Sequence, residues 1–290
     1  MIYQKRLTIG DYVIPAILIL FALAIITPIW YVISVSLVPA HVYFGSRIFL
    51  YPPIDGITLD NYRQVFDFGP ILTGFRNTIF VTIASTVFVM FINVSFAYAM
   101  LKPIPGRKFF WLVLMFTMFF SGGLLPFFLM MVNLGLVNNR LAMVLPHGLS
   151  IFTVILMQSY IRTLSPEYEE SARLDGAGDI RLLWSIVLPL CKPMLATLAL
   201  FAAVGGWNRW FEGMLFMQRV DLHPLQLVVR NMLDDTQAAL SHLPVQARHT
   251  AFAMGLQMAA VVVTMLPIMC VFPFLQKYFV KGITLGGVKG

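Results

Sequence analysis

Charge is what this chain has least of. Of its 290 residues only 11% are Asp, Glu, Lys or Arg, where a soluble globular domain carries about 25%. So few charges cannot cover a water-facing surface of ordinary size, which makes the lipid bilayer the expected solvent. Cysteine is almost missing as well. Cys191 and Cys270 are the only two, each inside an apolar segment, which argues against a disulfide and gives no metal-ligand spacing. There is no GxxxxGK[ST] stretch, so the chain lacks the phosphate loop that would let it bind ATP by itself in that way. The five histidines are scattered at 41, 147, 223, 242 and 249, and no Ser-His-Asp or paired-carboxylate arrangement follows from them. Of these, His147 follows Pro146 inside an apolar run and reads as a buried histidine bonded to a neighbouring helix. The net charge of +7 comes without a basic run interleaved with aromatics, which excludes nucleic acid as a partner.

What the chain has instead is apolar length. Hydrophobic residues make up 59% of it, and six runs almost free of charge cover roughly 13 to 36, 78 to 100, 109 to 131, 141 to 161, 183 to 206 and 251 to 276. Each reaches the ~20 residues that cross a hydrocarbon core of ~30 Å as helix. The runs are continuous, whereas membrane barrel strands alternate over about ten residues. The expectation is an all-α integral membrane protein with six transmembrane helices. The first run follows Lys5 and Arg6 and has no small-residue cleavage site, so it reads as a retained anchor. All seven lysines fall at one side of these spans (Lys5, Lys102, Lys108, Lys192, Lys277, Lys281 and Lys289), which places both termini and the "KPIPGRK" loop in the cytoplasm. Two longer loops, about 37 to 76 and 207 to 250, then face outward.

Two runs carry residues that bend helices. "SGGLLPF" at 121 to 127 sets two glycines and Pro126 inside the third, and Pro189 and Pro193 lie four residues apart on one face near the start of the fifth. None of the spans has Asp or Glu in its interior; Asp11 and Glu212 lie at edges. A proton- or sodium-coupled carrier typically needs such a group or a broken-helix ion site. If this chain moves something, the energy comes from a partner.

The loop between the fourth and fifth runs is unlike the rest. It reads "SPEYEESARLDGAGDIRLLWSIVLPLCKP" from 165 to 193. Ser165 suits a helix N-cap, Pro166 the first helical position, and Glu167, Glu169 and Glu170 the anion-favouring first turn. The helix is expected to run to Asp175 and to stop at Gly176 in the left-handed conformation, with Asp179 capping the next helix. By its residues alone the segment, about 166 to 177, is either a solvated amphipathic linker or a docking element. On the other side, "GGWNRW" sets Trp207, Asn208, Arg209 and Trp210 where the fifth span ends. A guanidinium that pairs with carboxylates and indoles that stack on sugar rings suit an acidic sugar. An interfacial aromatic belt with a snorkelling arginine has the same composition.

The loop pattern resembles that of permease subunits of bacterial ATP-binding-cassette importers. Glu170-Ser171-Ala172, two residues, Asp175-Gly176-Ala177, then Leu188-Pro189 and Pro193 follow the E-A-A, D-G-A, L-P and P order of that family. Ser171 replaces the usual middle alanine, and Leu183, followed by Trp184, stands where an aromatic is common. "SGGLLPFFLMMVNLGLVNN", "GGWNRWFEGMLFM", "HPLQLVVRNML" and "FPFLQKYFVKGITLGGVKG" are similar to the maltose-importer-type branch that handles complex oligosaccharides, over about residue 10 to Gly290. The resemblance implies a type I importer permease fold, a single transmembrane domain over 1 to 290 and a cytoplasmic coupling helix. It implies a second permease, usually a different chain, two ATPase subunits that hold ATP and Mg, and an extracytoplasmic solute-binding protein. This chain would bind no cofactor, no metal and catalyse nothing. Glu170 would be a polar contact to the ATPase, Ala172 and Ala177 small residues allowing close approach, and Asp175-Gly176 the turn fixing the helix angle, with Ser171 in the same coupling set. The glycines of the tail, Gly286 and Gly287, would let it pass between the ATPases. An acidic, alginate-type oligosaccharide is one cargo the branch and the outer arginines suggest. Other classes stay open from the residues themselves: an ion-coupled carrier, or a membrane scaffold docking a cytoplasmic partner.

Overall fold

Apolar, charge-poor segments satisfy their backbone groups internally, and in lipid a helix is the local way to do so. The computed structural model describes residues 9–39, 56–241 and 253–286, and among them every regular element is a helix. These are α1 (Ile9–Ser36), α2 (Asp60–Asp67), α3 (Pro70–Ala99), α4 (Arg107–Phe119), α5 (Leu124–Asn133), α6 (Ile151–Ile161), α7 (Glu167–Leu174), α8 (Asp179–Leu182), α9 (Leu188–Leu190), α10 (Lys192–Trp207), α11 (Phe211–Phe216), α12 (Leu225–Ser241) and α13 (Ala253–Gly286). Short 3-10 turns fill Arg140–Met143, Leu145–His147 and Val220–Leu222, and a π-helical turn fills Leu183–Val187.

Among the described residues three helices are long and apolar enough to cross a membrane unbroken, over Tyr12–Ser36, Pro70–Ala99 and Met254–Val271. Where the other three spans are expected the helices come as bent pairs, 115° between α4 and α5, 49° between Arg140–His147 and α6, and 86° between Asp179–Leu190 and α10, which make six spans if each pair counts as one. Each break has a residue-level cause. Phe120 is extended and Gly123 sits at φ 86°, a conformation that only glycine takes cheaply. Pro126 then falls in the first turn of α5, where a missing N–H leaves no bond unmade. At the 86° bend Cys191 has φ −89° and ψ 8°. Pro193 has no N–H to give the Pro189 carbonyl, and its ring crowds that oxygen. The 49° bend is held from outside: buried Asn93 of α3 donates to the Gly148 carbonyl at 2.7 Å and accepts from the Ser150 N–H at 2.7 Å.

The chain divides into two compact units, Met1–Gly69 with Val229–Leu266, and Pro70–Val228 with Pro267–Gly290. In the first, the end of α1 is tied to α2: Asn61 donates to the Ser36 and Val38 carbonyls at 2.9 and 3.1 Å, and the Ser36 and Tyr62 hydroxyls lie 2.6 Å apart. In the second, α3 is the central helix, packed along α10 and α6. Gly206 of α10 allows the approach, since a Cβ there would meet the Thr82 Cα at 3.0 Å. Two buried clusters sit along α3. One gathers Val81, Met131, Met143, Phe216 and Met217, the other Val94, Tyr98, Met157, Ala172, Leu182, Val187 and Cys191. From Val81 to Val94 the rise is about 20 Å, so each cluster serves one end of the helix.

Helix α12 occupies part of the segment expected as an outer loop. Leu225, Val228, Val229 and Met232 are buried at helical spacing, a pattern readable in the sequence but masked by the charges of Arg230, Asp234 and Asp235. Its start is anchored to α3, the Leu225 N–H donating to the Thr78 hydroxyl at 2.7 Å. The expected C-terminal tail continues α13 to Gly286; Gly287 to Gly290 lie outside the described residues.

Candidate functional site

The polar loop between the fourth and fifth spans folds as expected in outline and differs at its caps. Helix α7 spans Glu167–Leu174 with Glu167, Glu169 and Glu170 in its first turn, complementing the N-terminal end of the helix dipole. The Ser165 cap is not formed. Pro166 is already right-handed helical (φ −60°, ψ −23°) and occupies the cap position without a side-chain bond, and the Glu169 and Glu170 N–H groups both bond its carbonyl at 3.0 Å. At the other end Gly176 has φ 79°, and two backbone bonds close the stop. The Gly176 N–H donates to the Arg173 carbonyl at 3.0 Å and the Ala177 N–H to the Ala172 carbonyl at 2.9 Å. This is a Schellman motif with its accompanying contact, because Ala172 and Ala177 both pack into the inner cluster. Asp179 does not cap α8 either: Gly178 holds that position without a side-chain bond, and the carboxylate pairs with Arg173 instead.

The loop thus has an inward and an outward face. Ala172 is buried in this chain's own cluster, where its small side chain lets α7 lie close, and Ala177 is half-buried. Glu170, Ser171, Asp175 and Gly176 are exposed, as are Tyr168, Leu174 and Ile180, Leu174 to 90%. Exposed apolar groups beside exposed carboxylates form a surface suited to a protein partner.

Sequence reasoning missed the charges that hold the loop in place. Lys102, just past α3, pairs with Glu169 and lies 3.9 Å from Asp179. Its ammonium also sits 4.7 Å from the centre of the Tyr98 ring. Arg173 bonds Glu169 at 3.0 and 3.2 Å and Asp179 in turn. Burial disfavours the Lys102 ammonium, yet the bonds to Glu169 and Tyr98 win and its pKa lies above the ordinary value. Burial likewise raises Glu169, and the bonds from Lys102 and Arg173 bring it below the usual carboxylate value. The Arg173–Glu169 pair has helical i,i+4 spacing and is readable from the sequence; the Lys102 contact spans 67 residues and is not.

Past the loop, the π-helical turn Leu183–Val187 precedes Pro189 and the 86° bend. A π turn is rare overall and frequent at functional sites, and nothing in the residue types of "LWSIV" announces it. Pro189 is exposed and Pro193 half-buried, on either side of buried Cys191.

At the far end of α10 the four expected residues diverge. Trp207 is buried and packs edge-on to Phe75 at 6.3 Å. Asn208 is exposed, bonding back to the Val204 carbonyl at 3.0 Å. Arg209 is half-buried and donates from one Nη to the Ser85 hydroxyl at 3.1 Å and to the Met143 carbonyl. Trp210, half-buried, lies edge-on to Phe211 at 5.7 Å. His147 meets a neighbouring helix as expected, its Nε2 2.9 Å from Glu212 of α11, but it is not buried as expected, its side chain being 40% exposed. Arg209 and Glu212 therefore pin the start of α11 to the bent fourth span. Among the described residues no group of His, Cys, Asp and Glu could hold a metal ion.

Comparison with known proteins places these features in a lineage. The family model described as "Binding-protein-dependent transport system inner membrane component" matches residues 108–285, which include α7 and the bends on both sides of it. Protein LplC of Bacillus subtilis (strain 168) is 35% identical over 266 residues, 91% of this chain and 90% of that protein. The polygalacturonan/rhamnogalacturonan transport system permease protein YtcP of the same organism is 32% identical, covering 97% of this chain and 98% of its own. Among solved structures, a bacterial ABC transporter involved in the import of the acidic polysaccharide alginate aligns with a TM-score of 0.83 at 32% identity, over 95% of this chain and 100% of that one.

Proposed function

The chain belongs to the family of binding-protein-dependent transport system inner membrane components, and on that footing we propose that it forms part of the pathway of an ATP-driven importer of acidic oligosaccharides. It is a sugar permease of the bacterial inner membrane and catalyses no chemistry itself. The observation that carries the reading is α7: a short polar helix with a Schellman stop, held against the chain on one face and open on the other. Glu170 and Asp175 on the open face, with Leu174 beside them, offer an ATPase subunit both charge and an apolar contact. Binding energy at that face has an effect only if the partner prefers one state of the pathway, which ATP binding to the ATPase provides. The assembly would comprise a second permease, two ATPase subunits and a solute-binding protein, with ATP and Mg held by the ATPases. The lysines Lys102, Lys108 and Lys192 on the α7 side favour a cytoplasmic location for it and for both termini.

The acidic cargo rests on the likeness to the alginate importer and on the outward arginines. Several of those are locally paired, Arg63 with Asp67, Arg219 with Asp221 and Arg230 with Asp234, while Arg76 is exposed. Asn208, Arg209 and Trp210 are our candidate wall of the pathway. Reconstitution with the partner subunits tests both parts. ATPase activity should rise with a binding protein loaded with uronic oligosaccharides, and less with neutral ones. Stimulation by neutral sugars alone would refute the acidic cargo, and no stimulation by any loaded binding protein would refute the importer.

A further inference from the structure

We infer that Lys102 is a positioning residue for coupling: it locks the ATPase-facing helix α7 to the end of α3, so that displacement of the loop is passed directly to the helix at the centre of the pathway unit. The inference rests on the reading of α7 as the ATPase contact.

Three observations carry it. First, α7 is weakly packed. Of its residues only Ala172 is buried, and a cavity of about 330 Å³ lined by Tyr168, Glu169, Leu182 and Ile186 lies along its flank. Apolar packing does not fix such a helix; something else must. Second, Lys102 supplies the tie. It pairs with Glu169 in α7 and lies 3.9 Å from Asp179 at the start of α8, on the other side of the Gly176 break. Arg173 bridges the same two carboxylates, so the loop's charges alternate around one lysine. Third, the lysine end of the pair is firmly seated. Lys102 follows α3 by three residues, its N–H bonds the Ala99 carbonyl at 3.1 Å, and its ammonium lies over the Tyr98 ring. The Lys102 side chain is 20% exposed and that of Glu169 36%, so the lysine end of the pair is partly shielded from the solvent that weakens surface ion pairs. The adjacent carboxylates of the helix thereby take different roles, Glu169 pointing inward to Lys102 while Glu170 is left to the partner.

The test uses the full complex reconstituted in lipid, reading the stimulation of ATP hydrolysis by sugar-loaded binding protein and the sugar transported per ATP. Lys102→Met should lower both by about tenfold, the loss of one charge-assisted bond, while basal hydrolysis and co-purification of the ATPases persist. Lys102→Arg should restore coupling, and Glu169→Gln should reproduce the loss. The double variant should lose less than the product of the two single losses, because the Lys102–Glu169 tie is common to both, while Glu169→Gln also cuts the bonds from Arg173 and Lys102→Met the approach to Asp179. Full coupling in Lys102→Met, or single losses that multiply in the double variant, would overturn the inference. Should Lys102→Met fail to assemble, Glu169→Gln reads the pair from its other side, and normal coupling there is equally fatal. A parent complex that no loaded binding protein stimulates would instead count against the importer reading.

Discussion

Replacing Gly176 isolates the stop of α7 from everything around it. The residue has φ 79°, and a Cβ built on it meets nothing within 4 Å, so Gly176→Ala adds only backbone strain. That strain is about 1–2 kcal/mol for an L-residue in the left-handed region. It lowers the population of the correctly ended loop about five- to thirtyfold relative to its alternatives. Gly176→Pro does more. It cannot reach a positive φ, it removes the N–H that bonds the Arg173 carbonyl at 3.0 Å, and it pushes Asp175 away from its near-helical conformation. A cost of about 3 kcal/mol or more follows, a hundredfold or greater change. Neither substitution touches a membrane span, so insertion persists. Sugar-stimulated ATPase activity of the reconstituted complex should therefore fall in the order Gly, Asn, Ala, Val, Pro, with Asn mildest because it tolerates the left-handed region. Equal stimulation in Gly176→Ala and Gly176→Pro would contradict this account, since only backbone conformation and one N–H distinguish the variants.

Adjacent glycines of α10 should respond with opposite signs. Gly205→Ala meets nothing within 4 Å and should stabilise the purified chain through helix propensity by up to about 1 kcal/mol, read as a higher melting temperature; Gly206→Ala presses on the Thr82 backbone at 3.0 Å and should destabilise it by about 1–3 kcal/mol, read as a lower one. Arg209→Gln should also lower the melting temperature, the lost charged hydrogen bonds costing about 1.5–3 kcal/mol of stability, with Arg209→Lys recovering only part because it lacks the planar fork; an unchanged melting curve would refute the clamp. The Lys102–Glu169 tie should be insensitive to pH near neutrality. Glu169 titrates below its ordinary 4.5, so its contribution is present above that value and lost as pH falls through the lower one. Lys102 titrates above its ordinary 10.5, so its contribution is present below that value and lost as pH rises past it. Hydrogen-exchange protection factors of residues 167–177 should be flat from about pH 6 to 9, and a transition within that window would contradict the pairing.

How much of this is legible in the chain depends on the distance over which each feature is encoded. Helices α1, α3 and α13 follow from apolar length, and the Gly176 stop from four adjacent residues. The third-span break is signalled by its glycine pair and Pro126, and the fifth by Pro189 and Pro193. The bend at Gly148 is not legible, because its determinant, Asn93, lies 55 residues away on another helix. The same holds for Lys102. Its positive charge reads as a marker of membrane side, while its structural partner lies in a loop that local patterns describe as self-contained. Asp179 misleads for a related reason: local preference makes it a cap, and a nearby guanidinium outcompetes the backbone N–H for its carboxylate. Arg209 takes an outward role from its tryptophan neighbours in the sequence, but α3 supplies a hydroxyl that draws one end of it inward.

The length of α3 has a mechanical consequence. Its 30 residues make a rod of about 45 Å, some 15 Å longer than the hydrocarbon it crosses. One end carries Asn77, which donates to the Asp221 and His223 carbonyls at 2.8 and 3.0 Å; the other leads into Lys102. A rod obeys the arithmetic of a lever. Tilting it by about 5° around its Ala99 end sweeps Asn77, about 33 Å along the axis, by about 3 Å, close to the step between neighbouring residues along a chain. A displacement too small to break a single helical hydrogen bond at the loop is therefore large enough, at the opposite end, to move Asn77 and the segment bound to it by the width of a side chain.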